Sequence, residues 1–141
     1  MSNDSNGNNS ESTLKDLIIN EQLMNESELV EIIRPYVGIA KATGKVLLSP
    51  KCDELTIRQR ILVYLLGRKA ASTLRIWLVK ENAAPGQISE DLSLDGNSVR
   101  PNLQKLTQLQ IVQSDNGEYF VPNYRISDVR RALPNYDDIP F

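Results

Sequence analysis

Cys52 is the only cysteine in a chain of 141 residues that has no histidine at all. Those two facts bound the available chemistry. A serine or cysteine nucleophile has no imidazole to activate it, and zinc and haem sites lack their usual nitrogen ligand. One thiol is also too few for a thiolate-rich zinc site or for an iron–sulfur cluster carried by a single chain. Carboxylates and lysines remain, yet no pair of Asp or Glu is placed for acid–base work. We therefore assign no catalytic residue, no metal ligand and no cofactor, and expect a binding protein rather than an enzyme.

Four smaller features offer weaker chemistry. Gly38 and Gly44-Lys45 superficially match a phosphate-binding loop. Five residues separate the glycines where four are required, and Val46 stands where Ser or Thr would hold magnesium, so a hairpin turn is expected instead. Cys52 beside Lys51 could have a lowered thiol pKa and act as a redox sensor, but a single cysteine is more often a small buried residue. Trp77, with Ile76, Leu78 and Val79, could line an effector pocket; packing in a core or interface is the stronger reading. Asp137-Asp138 reads as solvated.

The formal charge of −2 hides a division into three parts. Residues 1–33 carry −6, residues 34–105 carry +6 and residues 106–141 carry −2. A basic middle between acidic ends can still form a local positive surface, although the same residues could simply solvate helix faces. The longest apolar run, Ile61 to Leu66, is too short to span a bilayer, and the first twelve residues do not resemble a signal peptide. With a single thiol, this points to the cytoplasm.

Apolar periodicity supplies the elements that must position any site. Residues 1–12 read as a disordered leader. Between 13 and 34 an amphipathic pattern fits one helix or two, with Ser12 or Thr13 and then Asn25 to Ser27 as caps. Tyr36–Ile39 and Lys45–Leu48 read as two short strands. Thr56 caps a long helix from Ile57 to about Lys80. Ile61 to Leu66 cover nearly its whole circumference, so it should be buried on all sides, one of them against the N-terminal segment or a second subunit. Gln87–Leu92 is a short helix, and Asn97 or Ser98 caps another that runs to about Gln110, with Pro101 in its first turn. Asn116-Gly117 joins two strands as a hairpin, and a last helix spans about Ile126 to Leu133.

The stretch GQISEDLSLDGNSVRPNLQKLTQLQIVQSDNGEYFVP, with the long helix before it, resembles the winged-helix branch of the helix-turn-helix proteins. The resemblance rests on Ile88 and Leu92 in the first helix, Leu94 in the turn, Val99, Leu103, Leu106 and Leu109 in the second, and Ile111, Val112, Tyr119 and Val121 in the wing. It implies a mainly α fold with a small β wing. The winged helix would occupy residues 56–133, an N-terminal helical segment with a hairpin for docking or dimerisation residues 13–55, and a tail residues 134–141.

For function, the resemblance implies that the helix Asn97–Gln110 enters the major groove of double-stranded DNA. Asn97, Ser98, Arg100, Pro101, Gln104, Lys105 and Gln108 would then be the contact residues, joined by Asn116 in the wing. Amides suit adenine edges, Arg100 or Lys105 suit guanine or phosphate, and first-turn N–H groups with Ser98 suit a phosphate. The wing has no cation between Leu106 and Tyr124, so the missing charge would have to come from Arg58, Arg60, Arg68, Lys69 and Arg75. A homodimeric, cytoplasmic transcriptional regulator is the leading expectation. The alternative is an interaction module or adaptor that binds no nucleic acid, as the acidic wing and the pI of about 5.2 suggest. A third reading has the acidic N-terminal segment masking the basic middle.

Overall fold

The computed structural model describes residues 13–134. The expected disordered leader and the tail beyond Pro134, with Asp137-Asp138, lie outside these residues. In chain order the elements are α1 (Glu26–Ile33), β1 (Val37–Ile39), β2 (Val46–Leu48), α2 (Ile57–Leu74), α3 (Pro85–Leu92), α4 (Gly96–Gln108), β3 (Gln113–Asp115), β4 (Glu118–Phe120) and α5 (Ile126–Ala132). The described chain is mainly helical, with two antiparallel two-stranded hairpins.

Asn25 settles the N-terminal alternative. Its Oδ1 accepts from the Glu28 N–H at 3.0 Å and starts α1 afresh, after only a short helical turn at residues 13–15. Thr56 starts α2 with a reciprocal cap: its hydroxyl accepts from Gln59 N–H at 3.1 Å, and Gln59 Oε1 accepts from Thr56 N–H at 2.9 Å. From Ile61 to Gly67 every residue of α2 is buried, as its all-round apolar pattern demands.

The cover comes from the chain itself. Helices α3 and α4 pack on α2, as do α1, α5 and both strands of the first hairpin. At Gly67 that hairpin lies so close that a β-carbon would stand 2.9 Å from a methyl of Val37 and of Val46. The helix therefore needs no second subunit to bury it, and that ground for expecting a dimer is withdrawn.

Helix α2 also stops at Leu74 rather than near Lys80. Arg75 adopts a left-handed conformation (φ 58°) and turns the chain away. Two contacts then hold the return segment: the Trp77 indole donates to the Lys41 carbonyl at 3.0 Å, and the Arg68 guanidinium donates to the carbonyls of Lys80, Glu81 and Asn82. Apolar residues 76–79 imitate helical periodicity while belonging to a loop.

Pro85 occupies the first turn of α3, where no N–H is required. Ile88 and Leu92 from α3, with Val99, Leu103 and Leu106 from α4, complete the core on that side, whereas Leu109 is half exposed. Asn116 (φ 54°) and Gly117 (φ 80°) make the tight β3–β4 turn that their sequence predicts. Ala83 pairs with Tyr119 through two backbone bonds of 3.0 and 2.8 Å, adding a third chain segment beside β4. Among the described residues no helix is long and apolar enough to cross a membrane.

Candidate nucleic-acid interface

Burial of Val99, Leu103 and Leu106 turns the opposite side of α4 outward. Asn97, Arg100, Pro101, Gln104, Lys105 and Gln108 are all exposed there, Ser98 is half-buried, and Asn116 is exposed at the tip of the β3–β4 turn. No acid occurs between Gly96 and Ser114. Arg58, from the first turn of α2, reaches this helix: its Nε donates to Asn102 Oδ1 at 3.2 Å, and Asn102 Nδ2 donates to the Ser98 carbonyl at 2.7 Å. The surface so assembled carries amides and three cations, Arg58, Arg100 and Lys105.

The N-terminus of α4 departs from expectation. Its cap is Asp95, not Asn97 or Ser98: Asp95 Oδ1 accepts from Asn97 N–H at 2.9 Å, and the Asp95 carbonyl accepts from the amides of Ser98 and Val99. A carboxylate here is stabilised by the helix dipole and by the free first-turn amides. The expectation that Ser98 and its neighbours hold a phosphate is corrected, because Asp95 already fills that anion position. The earlier start also moves Pro101 to the sixth helical residue, past the first turn. Pro101 has no N–H to give to the Asn97 carbonyl one turn back, which leaves an acceptor at the exposed end of the helix.

Most of the supplementary cations are committed elsewhere. Arg60 donates to the carbonyls of Cys52, Asp53 and Leu55, closing the short turn before α2. Arg68 gathers the carbonyls of the 80–82 segment and lies over the Tyr64 ring. Lys69 is 2% exposed and pairs with Glu81 and Asn123. Arg75 stands at the far end of α2 from Arg58, about 26 Å along the axis at 1.5 Å per residue. Only Arg58 of the five joins the α4 face. In the hairpin, Lys80 is paired with Glu118 at 2.8 Å, and Asp115 is exposed.

The acidic N-terminal helix does not cover this face in the manner of a mask. It packs on α2 and α5, where Glu31 pairs with Arg130 at 2.5 Å and Glu28 accepts from the Ser127 hydroxyl at 2.9 Å. Leu29, Ile32 and Ile33 are core residues, so this helix is structural.

Two other sequence candidates resolve as packing. Cys52 is buried, its thiol donates to the Tyr36 carbonyl at 3.3 Å, and burial pushes its pKa up, which removes the basis for a redox sensor. Trp77 lies against Gly44 and closes the turn of the first hairpin rather than an effector pocket. Sequence reasoning missed the Tyr64 hydroxyl, which donates to Asp91 Oδ2; burial first, and that carboxylate second, push the phenol far above its ordinary value. It also missed Asp95 as the cap, because Asp95-Gly96 reads as a turn. Among the described residues no group of three or more His, Cys, Asp or Glu could hold a metal ion. No family model, curated protein or solved structure matches the chain.

Proposed function

We propose that the chain is a winged-helix DNA-binding protein that reads duplex DNA with the outer face of α4 and regulates transcription from the cytoplasm. The observation that carries this reading is the acid-free, amide-rich face of α4, exposed along its length and bordered by Arg58, Arg100 and Lys105. Gln104 and Gln108 suit adenine edges, Arg100 and Lys105 suit guanine or phosphate, and Arg58 suits the flanking backbone. The segment beside β4, paired through Ala83 and Tyr119, supports the winged-helix reading of the hairpin.

A second reading has specific support. Asp95 puts negative charge at the end of α4 that would enter the groove, Asp115 does the same in the wing, and three expected cations serve internal bonds. Those features suit a protein partner, with α4 as the docking face of an adaptor.

Fluorescence anisotropy of the full chain on mixed-sequence duplex DNA, repeated at several salt concentrations, separates the two. Three phosphate contacts give a log–log salt slope of about −2.7. A measurable slope near that value supports DNA binding through this face. Absence of binding at low salt, by folded protein, leaves the adaptor reading in its place.

A further inference from the structure

Exposed apolar side chains are gathered in two places. Five belong to one arm, residues 13–23: Leu14, Leu17, Ile18, Ile19 and Leu23, each 62–78% exposed. Four more, Val30, Leu74, Ile76 and Leu78, surround the C-terminal end of α2. Together they are nine of the twelve large apolar side chains exposed among the described residues, far from a scatter of single positions. Two of the four, Val30 and Leu74, line a cavity of about 310 Å³ between α1, β1 and α2 together with Leu29, Ile33 and Ile39, and the 75–79 loop that carries Ile76 and Leu78 follows directly from Leu74.

The two surfaces are matched in charge as well as in polarity. Arg34, Lys41 and Arg75 stand exposed around the cavity and the 75–79 loop, against a single carboxylate, Glu26. The arm carries the opposite sign: residues 13–23 contain Asp16 and Glu21 against Lys15, a net charge of −1. Among the described residues, an apolar arm of net negative charge is thus matched by an apolar cavity with a basic rim. Met24, which follows the arm, lines the chain's own cavity beside Thr73, but none of residues 13–23 does. Asn123 Nδ2 holds the Gln22 carbonyl at 3.0 Å and ties the arm's root to the turn before α5, with the five side chains left in solvent.

We propose that the occupant is a second copy of this chain: the arm of each protomer lies on the cavity and the 75–79 loop of the other. Such an exchange is two-fold and closed, with each copy giving one arm and receiving one. The dimer then comes from the arm and from the cavity at the C-terminal end of α2, not from the buried middle of that helix, and it does not rest on the DNA reading.

Sedimentation of the full chain without DNA tests it. Dimer is expected, and Leu17→Asp with Ile18→Asp should weaken association by ~100-fold or more. Both side chains are exposed in the single chain, so the variant should melt as the unsubstituted chain does at concentrations where that chain is monomeric, and lower where it is dimeric. Oxidative cross-linking fixes the geometry. Chains with Leu17→Cys mixed with chains with Leu78→Cys should link to each other faster than either links to itself, the buried Cys52 remaining in place. Monomer at every concentration overturns the proposal, as does a dimer indifferent to the two aspartates. An internal cross-link in the chain that carries both cysteine substitutions would also overturn it, since the arm would then serve its own cavity.

Discussion

Lys69 donates from its ammonium to Asn123 Oδ1 at 2.6 Å, joining α2 to the turn before α5 across 54 positions of sequence. The same ammonium pairs with Glu81, and the Asn123 amide passes the connection on to the Gln22 carbonyl. One buried cation thus ties the arm, the central helix, the return segment and the C-terminal part together. Removing Glu81 should therefore be worse than removing Lys69. Glu81→Ala leaves a buried ammonium with a neutral partner and should cost about 2–4 kcal/mol, reduced from the fully buried case because Glu81 is 26% exposed. Lys69→Met removes the charge along with its need for a partner and should cost about 1–2 kcal/mol. Urea unfolding of both variants checks the order; equal losses would mean the pair contributes no more than packing.

Tyr64 makes stability fall in alkali. Its phenol is buried and donates to Asp91, so its folded pKa lies above the ordinary 10. The unfolded chain then releases this proton at lower pH than the folded chain does. The contribution is complete below about pH 10 and is lost as pH rises further, by about 1.4 kcal/mol per pH unit. Burial shifts Cys52 and Tyr36 in the same direction, with the thiol taking effect from about pH 9. Tyr64→Phe should cost about 1 kcal/mol at neutral pH. The gap to the unsubstituted chain should then close near pH 11. Thermal melts at the two pH values measure both; a constant gap would show that the phenol does not control the alkaline slope.

What was legible in the sequence is what local chemistry decides. Thr56, Asn25 and Asn116-Gly117 mark their elements because a cap or turn needs only neighbours a few residues away, whereas Pro85, which reads as part of a turn before a helix at Gln87, is the first residue of α3. The stripe Val99, Leu103, Leu106 gave the orientation of α4, and with it the exposure of Asn97, Arg100, Gln104, Lys105 and Gln108. Legibility ended where long-range bonds compete with local pattern. Residues 76–79 continue a helical period, yet Arg68 and Trp77 hold them as a loop through the carbonyls of residues 80–82 and of Lys41. The charge census failed for the same reason, since nothing local to Arg60, Arg68 or Lys69 reveals that distant backbone and side-chain oxygens occupy them.

Gly67 and Gly86 should respond to alanine in opposite directions. At Gly67 the added carbon would meet Val37 and Val46 methyls at 2.9 Å, and both belong to strands pressed on the helix. Gly67→Ala should push the first hairpin off α2 and cost about 1–3 kcal/mol despite alanine's better helix propensity. At Gly86, in the first turn of α3, nothing lies within 4 Å of the new carbon. Gly86→Ala should stabilise by about 0.5–1 kcal/mol. Chemical unfolding of the two variants provides the comparison, and a stabilised Gly67→Ala would mean that the hairpin has room to move.

Asp95 offers the sharpest separation of the two functional readings, because its cap and its charge can be divided. Asparagine caps helices as well as aspartate does, so Asp95→Asn should preserve the bond to the Asn97 amide and leave stability nearly unchanged. What it removes is the negative charge at the end of α4 that would approach DNA. Duplex affinity should then rise roughly two- to fivefold, equivalent to about 0.4–1 kcal/mol, with the gain shrinking at high salt. Arg100→Ala, on the exposed surface of the same helix, should move affinity the other way and make the salt slope shallower by nearly one unit. If α4 instead docks on a basic protein surface, Asp95 is an attractive contact and its neutralisation lowers partner affinity while DNA binding stays absent. Anisotropy titrations of the two variants against the unsubstituted chain distinguish these outcomes by sign alone, independent of the absolute affinity.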